Sequence, residues 1–298
     1  MNICIYSDFA GWLGAPGPQL RRIADAGFTH IGWGHQYNTD FAYGPHEIAE
    51  IRRVLRETGL KVLDVHASYG QEKRFWSRCE YERKAGVDLM KNRAQLVCEL
   101  EASGTLVTHI PYFIYGISPE MREIKTQETE QLMRSLDELV PYLDKLGVTL
   151  AVENMCDDDF TTLDMALKSY PQLVLCYDTG HGNFKVLKQL DYIEPRSKHL
   201  GALHLNDNDG AADLHWSPFM GTVDWERVVR MVANSAYRGP LSFELIMKAT
   251  PFQKVPFSPL PNSSEEDQRA YLRDAYARCE RVCRMYERAL NETARQNS

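Results

Sequence analysis

The chain has no uninterrupted apolar run of about eighteen residues, so a membrane-spanning helix is not expected. Its first residues, MNICIYSDF, place no basic stretch ahead of an apolar one and run straight into a strand-like segment, so no signal peptide is expected. Cysteine is scarce and scattered. The residues fall at 4, 79, 98, 156, 176, 279 and 283, an odd set without framework spacing. That excludes a disulfide scaffold and fits a reducing cytoplasm. Cys279 and Cys283, four apart, read as one face of a helix rather than a redox pair. Positive charge is also short: 34 Lys and Arg stand against 41 Asp and Glu, a net charge of -7. A general affinity for nucleic acid or anionic membrane is therefore not expected, although a local basic groove stays open. No G-x-G-x-x-G follows a strand, which disfavours an open dinucleotide-binding sheet. There is no internal repeat, low-complexity tract or linker, so residues 1–298 read as one domain.

What is present is alternation. Apolar or β-branched runs recur at 2–7, 29–33, 61–67, 105–110, 148–153, 173–178, 201–206 and 241–246. Helical patterns fill the intervals at 17–27, 46–58, 76–102, 119–146, 160–169, 187–197 and 224–236, and a long amphipathic tail covers 264–293. Eight strand–helix units predict a parallel α/β sheet closed into a (β/α)8 TIM barrel with a long C-terminal helix. The Pro/Ser-rich segment 251–264 reads either as a cover for the barrel mouth or as a plain connector. Asp224, just ahead of the periodic WERVVRMV, reads as a helix N-cap.

In a parallel barrel the C-terminal strand ends share one rim, where active sites sit. Here those ends carry His66, His109, Glu153, Asp178, His204 and Glu244. A barrel interior is expected to be mostly Val, Ile and Leu, and unpaired charge there is costly. Any one of these residues alone would read as structural, but six at corresponding positions call for a compensating divalent cation. His181 follows Asp178 by three residues at the strand-to-helix turn. Asp213 and His215 lie two apart, on one side of extended chain. The stretch from His204 to His215 also holds Asp207 and Asp209. Nine imidazole and carboxylate donors suit one to three ions of Zn, Mn, Fe or Co better than Mg or Ca.

The motifs VEN (152–154), DTGH (178–181), HLNDNDG (204–210), DLH (213–215), GTVDW (221–225) and FEL (243–245) resemble the xylose isomerase-like TIM-barrel superfamily across nearly the whole barrel. That superfamily includes sugar isomerases and epimerases and the endonuclease IV type of abasic-site nuclease (AP endonuclease family 2). The epimerase resemblance implies one ion on Glu153, Asp178, His204 and Glu244. The endonuclease resemblance implies three zinc ions on those four together with His66, His109, His181, Asp213 and His215.

Two enzymatic readings follow. In the first, a metal-dependent isomerase or epimerase moves a proton beside a polarised carbonyl of a small sugar or polyol, with Glu153 and Glu244 as base and acid. Trp33, His35, Tyr69, Tyr112 and Trp216 would wall the sugar pocket, although each alone reads more simply as packing. In the second, a multi-zinc cluster cleaves a phosphate ester. Against it, the loop GHQYNTDFAYG (34–44) has no Lys or Arg. The one basic rim segment, QEKRFWSR (71–78), offers Lys73, Arg74 and Arg78 as a grip for a single phosphate, or simply as the polar face of a helix start. A non-catalytic sugar- or metal-binding barrel is a third reading. Charge favours the first, with a small carbohydrate as partner and no membrane. The sugar, the metal and the oligomeric state, homo-oligomer included, are left open.

Overall fold

Eight short segments pair side by side in the computed structural model, which describes residues 2–184 and 189–296. They are β1 (Ile3–Tyr6), β2 (His30–Trp33), β3 (Lys61–His66), β4 (Thr105–Thr108), β5 (Thr149–Glu153), β6 (Val174–Asp178), β7 (Leu200–His204) and β8 (Leu241–Phe243). All observed pairings between them are parallel, in the order β7-β6-β5-β4-β3-β2-β1-β8. The two ends meet just past β7. There Leu205 bridges Phe243, its N–H donates to Ser242 O at 2.9 Å, and Glu244 N–H donates to Leu205 O at 3.1 Å. The sheet is thus a nearly closed TIM barrel.

The helices are α1 (Gly17–Asp25), α2 (Pro45–Thr58), α3 (Glu80–Glu99), α4 (Pro119–Leu146), α5 (Thr161–Ser169), α6 (Thr179–Gly182), α7 (Leu190–Ile193), α8 (Trp225–Asn234) and α9 (Glu265–Gln296). Among the described residues no helix is long and apolar enough to cross a membrane. Two expected helices differ. The one placed at 76–102 starts only at Glu80, because Phe75 and Trp76 are buried and tie the preceding loop down. The one placed at 187–197 is a short α7 followed by a 3-10 turn over Glu194–His199. Pro195 cannot supply the N–H that would continue the α-helix. Residues 187 and 188 lie outside the described residues.

Period two sorts each strand into an outer and an inner face. Ile3, Ile5, Val62, Leu106, Leu150, Leu175 and Leu203 join the large apolar core. The inner set is different from the Val/Ile/Leu filling expected. Val107, Ala151, Cys176 and Ala202 form a small separate cluster, and Tyr6, Asp64 and Ser242 are buried with hardly any exposure. The reason is room. Tyr6 lies so close to β2 that a side chain at Gly32 would collide with its ring at 2.1 Å. Small residues must face such a bulky one inside the barrel. Two residues further along the same face stand His66, Glu153, Asp178, His204 and Glu244. Period two therefore puts small residues below the polar rim.

The segment 251–264 lies over the loop that follows β1. Leu13 N–H donates to Pro259 O at 3.0 Å, and Phe257 packs against Trp12 at 6.0 Å between ring centroids. Asp224 caps α8 as expected, accepting from Arg227 N–H at 3.0 Å. Asp224→Ala should cost about 1 kcal/mol of stability, read as a shift in denaturant midpoint. Bound metal per chain should stay unchanged. Metal loss at unchanged stability would place Asp224 with the ligands instead.

Candidate metal centre at the strand ends

Glu153 ends β5 with its side chain fully enclosed, and imidazoles crowd its two oxygens. Its Oε2 lies 3.1 Å from His204 Nδ1, 3.4 Å from His109 Nε2 and 3.7 Å from His66 Nε2, while Oε1 lies 3.3 Å from His181 Nδ1. Glu244, just beyond β8, brings Oε2 to 3.2 Å from the same His204 Nδ1. Glu153, Asp178, His204 and Glu244 each offer an atom such that all lie within 4.8 Å of one another, and they could hold one ion. His66, His109 and Glu153 form a second such group, with Glu153 shared.

Each of four histidines has one ring nitrogen tied to a fixed partner. His66 Nδ1 meets Ala67 O at 2.8 Å, His181 Nδ1 meets Asn154 O at 2.8 Å and His215 Nδ1 meets Glu244 O at 3.2 Å. His204 is turned the other way, with Nε2 on the Tyr6 hydroxyl at 2.6 Å. A carbonyl accepts only from a protonated nitrogen, so in a neutral His66 it leaves a bare lone pair on Nε2, the arrangement found around metal-bound histidines. The buried atoms left without hydrogen-bond partners include Glu153 Oε1 and Oε2, His66 Nε2 and His204 Nδ1. Four orphaned donor atoms facing one another would be expensive as a purely structural arrangement. They fit a divalent cation.

The carboxylate chemistry agrees. Burial works against charge on Glu153, but His204 and then His109 hold it well below the usual carboxylate range. Burial also opposes charge on His204, yet Cys176, Glu153, Tyr6 and Glu244 together carry it well above the imidazole range. Burial pushes Asp178 up to about 6, against the pull of His181.

Residues that hold the rim are less visible in the motifs. Asn154 donates to Asp178 O at 3.0 Å and accepts from Asp178 N–H at 2.8 Å. Asn206 donates to Asp178 Oδ2 at 2.7 Å. The acids of the 204–215 stretch divide by role. Asp207 is buried and accepts from Trp225 Nε1 at 3.0 Å and Val223 N–H at 3.1 Å, so it braces GTVDW. Asp209 closes a turn through Ala211 N–H at 2.7 Å. Asp213 turns to the centre, with Oδ2 3.5 Å from His181 Nε2 and 3.2 Å from His215 Nε2.

The expected pocket walls also divide. Trp33 is completely buried and donates to the Tyr43 hydroxyl at 3.0 Å. His35 has Nε2 on Gly14 O at 2.6 Å and Nδ1 on the same hydroxyl at 3.1 Å. Both belong to wall packing rather than to the mouth, because every polar atom they carry is already engaged. Tyr69 sits edge-on to His109 at 5.8 Å and carries the Arg74 guanidinium over its ring at 5.0 Å. Tyr112, half-buried, lies 6.0 Å under Lys125. Trp216 is half-buried and donates to Ala249 O at 3.2 Å. In the basic segment, Arg78 donates to Gln127 at 3.2 Å, Arg74 lies over the Tyr69 ring and Lys73 is exposed. Sequence reasoning missed Asp8 and Tyr37. Asp8 is almost fully buried, and burial followed by Glu244 raises its carboxyl to about 7. Tyr37 packs on His66 at 5.3 Å.

The sequence matches the family model described as a xylose isomerase-like TIM barrel over residues 20–275. The chain belongs to that family. Among its relatives is the uncharacterized protein y4fM of Sinorhizobium fredii, 32% identical over 257 residues, covering 76% of this chain and 80% of that protein. Another is fructoselysine 3-epimerase of Escherichia coli O157:H7, 24% identical over 56% of this chain and 61% of that protein. Solved structures with the same fold include an L-ribulose 3-epimerase, at TM-score 0.73 and 15% identity over 100% of this chain and 99% of that one. The D-allulose 3-epimerase of Methylomonas sp. matches at TM-score 0.70 and 15% identity over 95% and 97%. Within this xylose isomerase-like barrel the strand-end cluster occupies the rim where the fold places its chemistry.

Glu153→Gln should keep the fold and lose most of the bound metal, because an amide keeps the volume but not the charge that four imidazoles surround. Elemental analysis beside circular dichroism checks this, and full metal content in the variant would contradict it. Metal affinity should also fall as pH falls. His204 and His181 take protons more readily than ordinary imidazoles, so a cation must displace those protons. Competition with a chelating dye across neutral pH measures the trend, and a flat profile would contradict it.

Proposed function

We propose that the protein is a divalent-metal-dependent isomerase or epimerase acting on a small sugar or sugar-like polyol. The observation that carries the reading is the buried quartet of Glu153, Asp178, His204 and Glu244 at the barrel rim, with orphaned Glu153 and His204 atoms facing inward. The relatives named as sugar 3-epimerases support it. A cation held by these four would polarise a substrate carbonyl and lower the cost of negative charge growing on its oxygen.

The chain's own groups do the rest. Tyr6 and the carbonyls of Ala67 and Asn154 hold His204, His66 and His181 in fixed orientation, so the rim is built before substrate arrives. Asn154 and Asn206 steady Asp178. Glu153 and Glu244, on different strands, serve as the pair that removes a proton beside the carbonyl and returns one. Glu244 is the more open of the two, with its side chain 13% exposed against none for Glu153. Tyr69, Tyr112 and Trp216 remain as candidate walls.

A second reading keeps one specific support. His66, His109, Glu153, Asp178, His204 and Glu244 fall into groups that overlap at His66, Glu153, His204 and Glu244, as a multi-zinc phosphodiesterase of the endonuclease IV type would need. The net charge of -7 and the loop 34–44 without Lys or Arg weigh against a nucleic-acid substrate. Glu244→Gln should lower turnover at least about a hundredfold with the fold intact. The assay pairs ketoses with detection of the C3 epimer and, in parallel, an abasic-site duplex. Sugar turnover without duplex cleavage is expected. Cleavage well above a chelator-treated control would favour the second reading.

A further inference from the structure

One buried carboxyl at the mouth takes no part in the quartet. On β1, Cys4 and Tyr6 point inward, and Asp8 is the next residue of that face. Glycines of the neighbouring strand mark the same side. A side chain at Gly32 would strike the Tyr6 ring, and one at Gly34 would strike Asp8 Oδ1 at 2.3 Å. Register sets the level. Cys4 pairs with Ser242 and Ile5 with Phe243, so Tyr6 stands level with Glu244. Asp8 lies two residues further out, roughly 6 to 7 Å along the strand direction. It is 3% exposed, and Glu244, His215 and His204 bear on its charge.

The backbone here is fixed, but the carboxyl is left unanswered. Gly11 N–H donates to Asp8 O at 2.9 Å, and Met247 N–H donates to Phe9 O at 2.8 Å. Among the described residues the carboxyl meets only its own backbone N–H; it forms no ion pair and takes no side-chain donor. Burial and then Glu244 raise it to about 7, so near neutrality it serves as donor and acceptor. Burial, followed by Asp8 and Glu244, also raises the Tyr37 hydroxyl well above its ordinary range, so that group keeps its proton. Tyr37 is held in place, since its N–H donates to Gly34 O at 3.2 Å and its carbonyl accepts from Tyr69 N–H at 2.7 Å. An apolar side chain would fill the place of Asp8 without the cost of burying a carboxyl, so packing alone does not account for it.

We infer that Asp8, with the Tyr37 hydroxyl beside it, is a specificity-determining residue that binds the terminal hydroxyls of the substrate, at the end of the carbon chain away from the reacting carbonyl. The inference rests on the sugar reading. With the carbonyl at the level of Glu153 and Glu244, a hexose chain extends outward to the level of Asp8. A site built to bond a hydroxyl rejects the analogue that lacks it, because its own polar groups are then left unpaired.

The test measures equilibrium binding by calorimetry to full-length, metal-loaded protein, in wild type, Asp8→Ala, Asp8→Asn and Tyr37→Phe. The probes are the ketohexoses, each beside its 6-deoxy analogue. Wild type should prefer the ketohexose it binds best over the 6-deoxy analogue by at least about tenfold. Asp8→Ala should bind that ketohexose about tenfold more weakly and the analogue within about twofold of wild type, so the preference disappears. Asp8→Asn keeps the volume and a hydrogen-bonding head, and its preference should fall between the two. Tyr37→Phe should lose a smaller part of it. Metal per chain and circular dichroism should stay at wild-type values throughout, which separates a lost contact from a lost ion or a lost fold. Equal weakening of both sugars in the Asp8 variants, or an unchanged preference, would overturn the inference and leave the sugar reading standing. So would loss of metal from those variants. If metal-loaded wild type binds no ketohexose, the sugar reading and this inference fall together.

Discussion

One buried carboxylate governs the strand ends. Glu153 has no exposed surface and no hydrogen bond to either oxygen, yet it stays charged. Taking such a charge out of water costs several kcal/mol or more unless partners answer it. Four imidazoles from β3, the end of β4, the turn after β6 and β7 approach it within 3.1 to 3.7 Å. The barrel is what brings those four elements to one point. The cluster and the closure of the sheet are therefore one requirement seen from two sides.

The second layer of contacts explains why the rim can be both polar and ordered. An imidazole with a free ring could flip and offer either nitrogen. Here backbone carbonyls of Ala67, Asn154 and Glu244, and the Tyr6 hydroxyl, settle the orientation of each. The same economy appears in the acids. Asp207 and Asp209 spend their oxygens on backbone N–H groups and on Trp225, which frees Asp213 to face inward. A loop rich in Asp and Asn thus contains both braces and ligand candidates, and its acidity as such does not tell them apart.

Much of this was legible in the chain itself. Strand–helix alternation marked the eight strands, and their shared direction put His66, His109, Glu153, Asp178, His204 and Glu244 at one end. Asp224 was readable as a cap because capping depends on neighbours a few residues away. Local signals failed where distant packing decided. Trp33 and His35 sit beside the rim in sequence, yet both are consumed by Tyr43 and Gly14 in the wall. Asp8 carried no motif, and its buried place against Gly34, where a side chain would meet Asp8 Oδ1 at 2.3 Å, is a product of packing.

By itself the sequence determined the fold class and which side chains stand at the strand ends of the rim, because periodicity and strand polarity are properties of short stretches of chain. The tertiary structure alone decided which nitrogen of each histidine faces inward, which acids are braces, and that Asp8 lies against Gly34. Several of those outcomes depend on contacts between residues far apart in the chain, such as Tyr6 and His204. Only the closed sheet, with its small inner residues and its bulky Tyr6, sets such distances.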